Sequence, residues 1–193
     1  MIQVCVFLGN PGREYSKTRH NIGWIIADYL DNQGRLATPW TKKFKGNYAR
    51  ATLGVQNIHL LKPELFYNKS GESLQAMLQF YKIPTDQVLV VHDDLESPFE
   101  TLTLQFSGGL GGNNGLRSIQ QHCGGPDFYR LKVGIGRPVH GKPDAWVLGK
   151  FTPDEEITLP TILQKADQLL EKVILDPSLE HQIKKGNKER WSL

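Results

Sequence analysis

The feature that most constrains the fold is the opening stretch, where an unbroken apolar run from Val4 to Leu8 stops at Gly9-Asn10-Pro11-Gly12 and apolar side chains then recur at helical spacing. A strand without polar alternation is buried on both faces. Strand, tight turn and amphipathic helix in that order form the repeating unit of an α/β sheet. Ile22, Ile25, Ile26, Tyr29 and Leu30 predict a helix over about 21–33, ending near Gly34. The same pattern continues downstream. Phe44–Leu53 and Ile58–Lys62 read as a hairpin around Gly54-Val55-Gln56-Asn57, and Leu74, Met77, Leu78 and Tyr81 mark a helix that stops before Pro84. Val88-Leu89-Val90-Val91 is a second buried strand and runs straight into His92-Asp93-Asp94. Thr101–Phe106 alternates as a half-exposed strand does, and a glycine loop over 107–115 leads into a helix through Cys123. A strand over Tyr129–Ile135 and a long helix over Pro153–Leu175 follow. The sum is an α/β protein: a single-domain three-layer α/β/α sandwich over residues 1–193, its twisted sheet mixed and mostly parallel, with 180–193 a basic C-terminal tail.

A chain of 193 residues with 39% hydrophobic content is long enough to bury about 70% of the surface its unfolded form exposes. Cys5 and Cys123 are the only cysteines, which argues against a disulfide framework and for a reducing, cytoplasmic setting. The apolar run Val4–Leu8 is far too short for a membrane span or a signal-peptide core. A net charge of +3 permits nucleic-acid binding without demanding it. The basic residues do cluster: Arg13, Lys17 and Arg19 flank His20, and Lys184, Lys185, Lys188 and Arg190 crowd the tail.

Polar residues fall where α/β sheets place their chemistry, in loops beyond strand ends. Gly9, Pro11 and Gly12 restrict the turn from which Asn10 projects, and His20 falls at the start of a helix, where positive partial charge favours the neutral imidazole required of a general base. Asn68 precedes the second helix, Asp93 follows a buried strand, and Asn113-Asn114 end the glycine loop. Asn68 and Ser70 have an alternative use as helix caps, and Asp93 as a turn cap. His92 points away from Asp93 if strand geometry continues. The glycine loop lacks the Gly-Lys-Ser/Thr of a Walker motif and the spacing of a dinucleotide fingerprint. No Gly-x-Ser-x-Gly elbow and no metal-ligand spacing occur. What remains is a histidine with a candidate carboxylate orienter among amides, suited to activating water beside a polar, uncharged substrate.

Leu8-Gly9-Asn10-Pro11-Gly12, Glu14-Tyr15 and Thr18-Arg19-His20-Asn21-Ile22-Gly23 resemble the N-terminus of bacterial peptidyl-tRNA hydrolases. Lys62-Pro63, Phe66, Asn68, Ser70-Gly71, Val91-His92-Asp93-Asp94-Leu95, Gly111-Gly112, Asn114-Gly115-Leu116, Arg130-Leu131, Gly134-Ile135-Gly136 and Val147-Leu148-Gly149-Lys150-Phe151 continue that likeness in family order. The resemblance implies hydrolysis of the ester joining a peptide to the 3′ end of tRNA, without metal or cofactor, by a cytoplasmic and usually monomeric enzyme with no membrane partner. It makes His20 the base that takes a proton from water, Asp93 its orienter and Asn10 a residue that places the ester. Asn68 and Asn114 would hydrogen-bond the peptide main chain, Tyr15 and Tyr67 would pack around the substrate, and Lys132 would meet tRNA phosphate.

Position 113 is Asn where that family commonly has His, a change expected to tune substrate placement. Ser97-Pro98-Phe99-Glu100 departs from the usual pattern, and Thr103 and Gln105 stand where basic side chains are usual. A competing reading is an RNA-binding relative, like the plant organellar splicing factors that share the fold and act as partners of other proteins. Asn10, His20, Asn68, Asp93 and Asn114 together speak for the enzyme, because a binding module needs no water-activating pair.

Overall fold

The computed structural model describes residues 1–186 and 188–192, in which eight strands form one sheet in the order β2 (Thr41–Lys43), β3 (Gly46–Leu53), β4 (Gln56–Pro63), β1 (Val4–Phe7), β5 (Val88–Asp94), β7 (Tyr129–Gly134), β6 (Thr101–Phe106), β8 (Glu189–Ser192). Its centre is parallel: β1 lies between β4 and β5, and β5 pairs with β7. The margins are antiparallel, with β2 and β3 on one side, β6 and β8 on the other. Only β3 and β6 oppose the common direction, so the sheet is mixed and mostly parallel in strand sense.

The period of two decides which layer each strand residue joins. Cys5, Phe7, Leu89 and Val91 pack in a core shared with α1 (Ile22–Asn32), α5 (Pro153–Leu175) and α6 (Pro177–Lys184), against which Trp146 and Val147 of the short α4 (Pro143–Val147) also pack. Val4, Val6, Val88 and Val90 pack in a second core with α2 (Ser70–Tyr81) and α3 (Asn114–Cys123). Both faces are covered, which is why these strands show no polar alternation. Among the described residues no helix is long and apolar enough to cross a membrane.

Three sequence expectations need correction. The strand expected from Phe44 begins at Gly46, because Phe44 and Lys45 take left-handed backbone angles in the turn from β2. β6 is buried along its length instead of half-exposed. Leu102 and Leu104 enter the main core, and the glycine loop folds over the other face, where Gln105 Nε2 donates to Ser107 O at 2.8 Å. Thr103 and Gln105 are both buried there. The expected basic tail over 180–193 is not a free end: α6 buries Leu179 and Ile183, Lys184 Nζ pairs with Asp86 at 2.7 Å, and β8 adds to β6 with Arg190 opposite Thr103. Positions 187 and 193 of that tail lie outside the described residues.

One close approach brings the first helix to the strand ends. A Cβ on Gly23 would lie 2.5 Å from the Leu8 carbonyl oxygen and 2.8 Å from that of Val91. Glycine there lets α1 start directly over the carboxyl ends of β1 and β5, which carries His20 to Asp93.

Candidate active site

A short 3-10 turn, Arg19–Asn21, joins the Gly9–Thr18 loop to α1 and carries His20. Its position is set from both sides. Arg19 is buried, donates to the Lys150 carbonyl at 2.7 Å and to Glu155 Oε2 at 2.6 Å, and lies 3.7 Å above the Trp146 ring. Asn21, fully buried, accepts from Asn10 N–H and donates to Asn10 O, each at 2.9 Å. Arg19 is therefore a structural ion pair, and of the basic residues flanking His20 only Arg13 and Lys17 are exposed.

His20 Nδ1 lies 3.1 and 3.0 Å from the two carboxylate oxygens of Asp93. The imidazole is 16% exposed and the carboxylate 3%, so the pair has a buried end and an open end. Tyr67 completes it: the ring stacks on His20 with centroids 3.5 Å apart, and the hydroxyl donates to Asp93 Oδ1 at 2.6 Å. Burial and the Asp93 charge push the Tyr67 phenol well above its ordinary value, so it remains protonated and donates.

Two connected hollows open at His20. A deep one of about 120 Å³ is lined by His20, Asp93, Asn113, Asn114, Arg130 and Lys132. A shallow groove beside it is lined by Asn10, His20, Phe66, Tyr67, Asn68 and Asn114. Asn10 Oδ1 accepts from Tyr67 N–H at 2.7 Å, which leaves its NH2 for the groove. Asn68 and Asn114 are exposed. Asn68 does not cap α2, whose cap position is Lys69 without a side-chain bond, while Ser70 Oγ donates to the Tyr67 carbonyl at 2.8 Å.

Other expectations shift. Tyr15 is half-buried in its turn and stands outside both hollows. Tyr67 borders the groove but is only 3% exposed, packed in the second core, and its hydroxyl is committed to Asp93, so it supports the His20–Asp93 pair more than it walls the groove. Lys132 lines the deep hollow with Nζ 2.9 Å from Asp94 Oδ2. Burial pushes the Asp94 carboxyl up, but hydrogen bonds from Ser97 and Lys132 outweigh it and hold the group below its usual range.

Sequence reasoning placed Asn113 at the site as a residue that tunes substrate placement and gave Arg130 no role; the structure gives both a structural one. Asn113 caps α3, accepting from Leu116 N–H at 3.0 Å, and donates from Nδ2 to the Tyr67 hydroxyl at 3.1 Å. Its place three residues before an apolar helical position was a readable capping signal. Arg130, buried on β7, ties down the glycine loop by donating to the carbonyls of Gly109 at 2.7 Å and Gly108 at 3.0 Å. Burial lowers its guanidinium to about 10. No local signal distinguishes it from a surface arginine.

A histidine backed by a buried carboxylate at the carboxyl ends of parallel strands, with amides on the walls, defines an α/β protein equipped for general-base chemistry in a cleft. A family model described as peptidyl-tRNA hydrolase matches residues 4–192. Peptidyl-tRNA hydrolase of Bdellovibrio bacteriovorus is 42% identical over 174 residues, 89% of this chain and 92% of its own. That of Pelobacter propionicus is 45% identical over 172 residues, 89% and 88% of the two chains. The crystal structure of peptidyl-tRNA hydrolase from Acinetobacter baumannii superposes with a TM-score of 0.83 at 32% identity, covering 95% of this chain and 91% of that one. The chain belongs to the peptidyl-tRNA hydrolase family.

Proposed function

We propose that this protein hydrolyses the ester between a peptide and the 3′ end of tRNA, with His20 as general base and Asp93 as its orienter. One observation carries the reading: the His20–Asp93 contact at 3.0 Å joins a carboxylate shut off from water to an imidazole that opens onto the cleft. With Nδ1–H directed at Asp93, Nε2 accepts a proton from water as the water oxygen attacks the ester carbonyl. The Asn10 amide donor assists in placing the ester. Collapse of the tetrahedral intermediate breaks the bond to the ribose oxygen, and the imidazolium returns its proton to that leaving group. Asp93 stabilises the transient positive charge without taking the proton.

Peptide side chains need not be read. Asn68 and Asn114 carry a donor and an acceptor each, matching the main-chain groups common to every peptide. Lys132, which lines the deep hollow, is the candidate contact for tRNA phosphate.

The test is release of free tRNA from peptidyl-tRNA by the purified chain, with aminoacyl-tRNA as contrast and His20→Ala as control. Turnover of peptidyl-tRNA that His20→Ala abolishes supports the reading. Tight binding of tRNA without turnover would move the protein to the binding class, and equal turnover in His20→Ala would remove the assigned base.

A further inference from the structure

The hydrogen bonds behind the dyad have a forced direction. Asn113 Oδ1 is committed to the Leu116 N–H at the start of α3. The end of the amide turned toward Tyr67 is therefore the NH2, which only donates. Receiving that bond, the Tyr67 oxygen has its single proton left for Asp93 Oδ1, 2.6 Å away. Asp93 is then an acceptor toward both neighbours, and the His20 nitrogen facing its two oxygens must supply the proton. The Tyr67 ring, 12° from parallel with the imidazole, limits the tilt of His20.

We propose that Asn113 and Tyr67 are positioning residues: the cap of α3 aims the tyrosine hydroxyl, the hydroxyl fixes the orientation of the Asp93 carboxylate, and Asp93 so held keeps His20 in its Nδ1–H tautomer. The proposal rests on His20 being the base. It adds that the proton order in the dyad is fixed from a helix terminus, with three side chains, Tyr67, Asp93 and His20, between it and the reacting bond. Neither residue touches the water or the ester; each acts through another.

Tyr67→Phe keeps the stacked ring and removes only the hydroxyl. Its kcat is expected to fall about tenfold with KM unchanged, the scale of one lost hydrogen bond to a charged group. Asn113→Ser keeps a good helix cap but is too short to reach Tyr67, and its kcat is expected to fall about threefold. Because both act along one path, the double variant should be no slower than Tyr67→Phe alone. Side-chain 15N NMR of His20 in the intact protein reads the tautomer without substrate: Nδ1–H in the parent, with an Nε2–H fraction appearing in both variants.

Three results would overturn the proposal: a raised KM with kcat unchanged, which would make Tyr67 a substrate wall; a lowered Tm with kcat and tautomer unchanged, which would make the pair merely structural; or multiplicative losses in the double variant. His20→Ala separates this idea from the one beneath it. If His20→Ala is inactive while Tyr67→Phe is unaffected, only the positioning path fails; if His20→Ala is fully active, the dyad itself fails.

Discussion

His20 packs one face on Tyr67 and opens the other to the cleft, so its removal takes away a proton acceptor and little of the core. His20→Ala is expected to lower kcat by about 10²–10⁴, the usual contribution of general-base catalysis, with Tm nearly unchanged. Asp93→Asn should also be slow, since an amide accepts from the imidazole but does not balance the charge that develops on it. Steady-state kinetics with a melting curve for each variant checks both; a fast Asp93→Asn would take Asp93 out of the mechanism. Asn68 and Asn114 differ from these in being exposed. Each change to Ala should weaken binding of peptidyl substrate by about 1–3 kcal/mol, the cost of an unpaired polar group, and read out in KM. A drop in Tm with unchanged KM would instead assign either residue to the fold.

At the end of β5 the alternation of a strand separates two histidine environments. Asp93 meets His20, while His92 is 2% exposed, with Nδ1 donating to the Asp93 carbonyl at 2.7 Å and Nε2 without a partner. Burial pushes its imidazole from 6.5 down to about 4. Between those values the unfolded chain binds a proton that the native chain refuses, so stability falls as pH drops from 6.5 to about 4 and levels off below. The whole step is about 3 kcal/mol for a shift of this size. Melting temperatures from pH 7 to 4 should show that loss in the parent and a flatter line in His92→Gln; parallel curves would exclude His92 as its source. The same strand shows what local pattern conveys. Its β-branched run is legible as buried because Val88–Val91 must be covered on both faces. Which of His92, Asp93 and Asp94 faces His20 depends on where α1 begins, and that is set by Gly23 against two carbonyls 2.5 and 2.8 Å from its Cβ position.

For the whole molecule, the proposed contact with tRNA has fewer free charges to draw on than the sequence suggests, because Arg19 is paired with Glu155, Lys184 with Asp86 and Lys132 with Asp94. Lys132→Ala should raise KM for peptidyl-tRNA and flatten its salt dependence by about 1, the increment of one phosphate contact, while hardly affecting a short ester lacking the acceptor stem. Since the change also strands Asp94, the Asp94→Asn/Lys132→Ala double variant should recover Tm but not KM. Equal weakening of both substrates would make Lys132 structural. The order of the main strands and helices, the α/β class and the choice of Asn10, His20, Asp93 and Asn114 as candidates were legible because apolar periodicity, turn residues and motif runs are properties of neighbouring positions; the short β2 and the helices over 143–147 and 177–184 were not. The edge strand β8, the covered face of β6 and the burial of Arg19, Arg130 and Tyr67 were not, because each depends on a partner far along the chain. His20 and Asp93 are 73 positions apart, and Tyr67 and Asn113 are 46. Sequence by itself determined which residues had the chemistry to act; tertiary structure alone decided which of them meet at hydrogen-bond distance and in which direction each proton points, because a hydrogen bond depends on distance and angle between groups that no local pattern records.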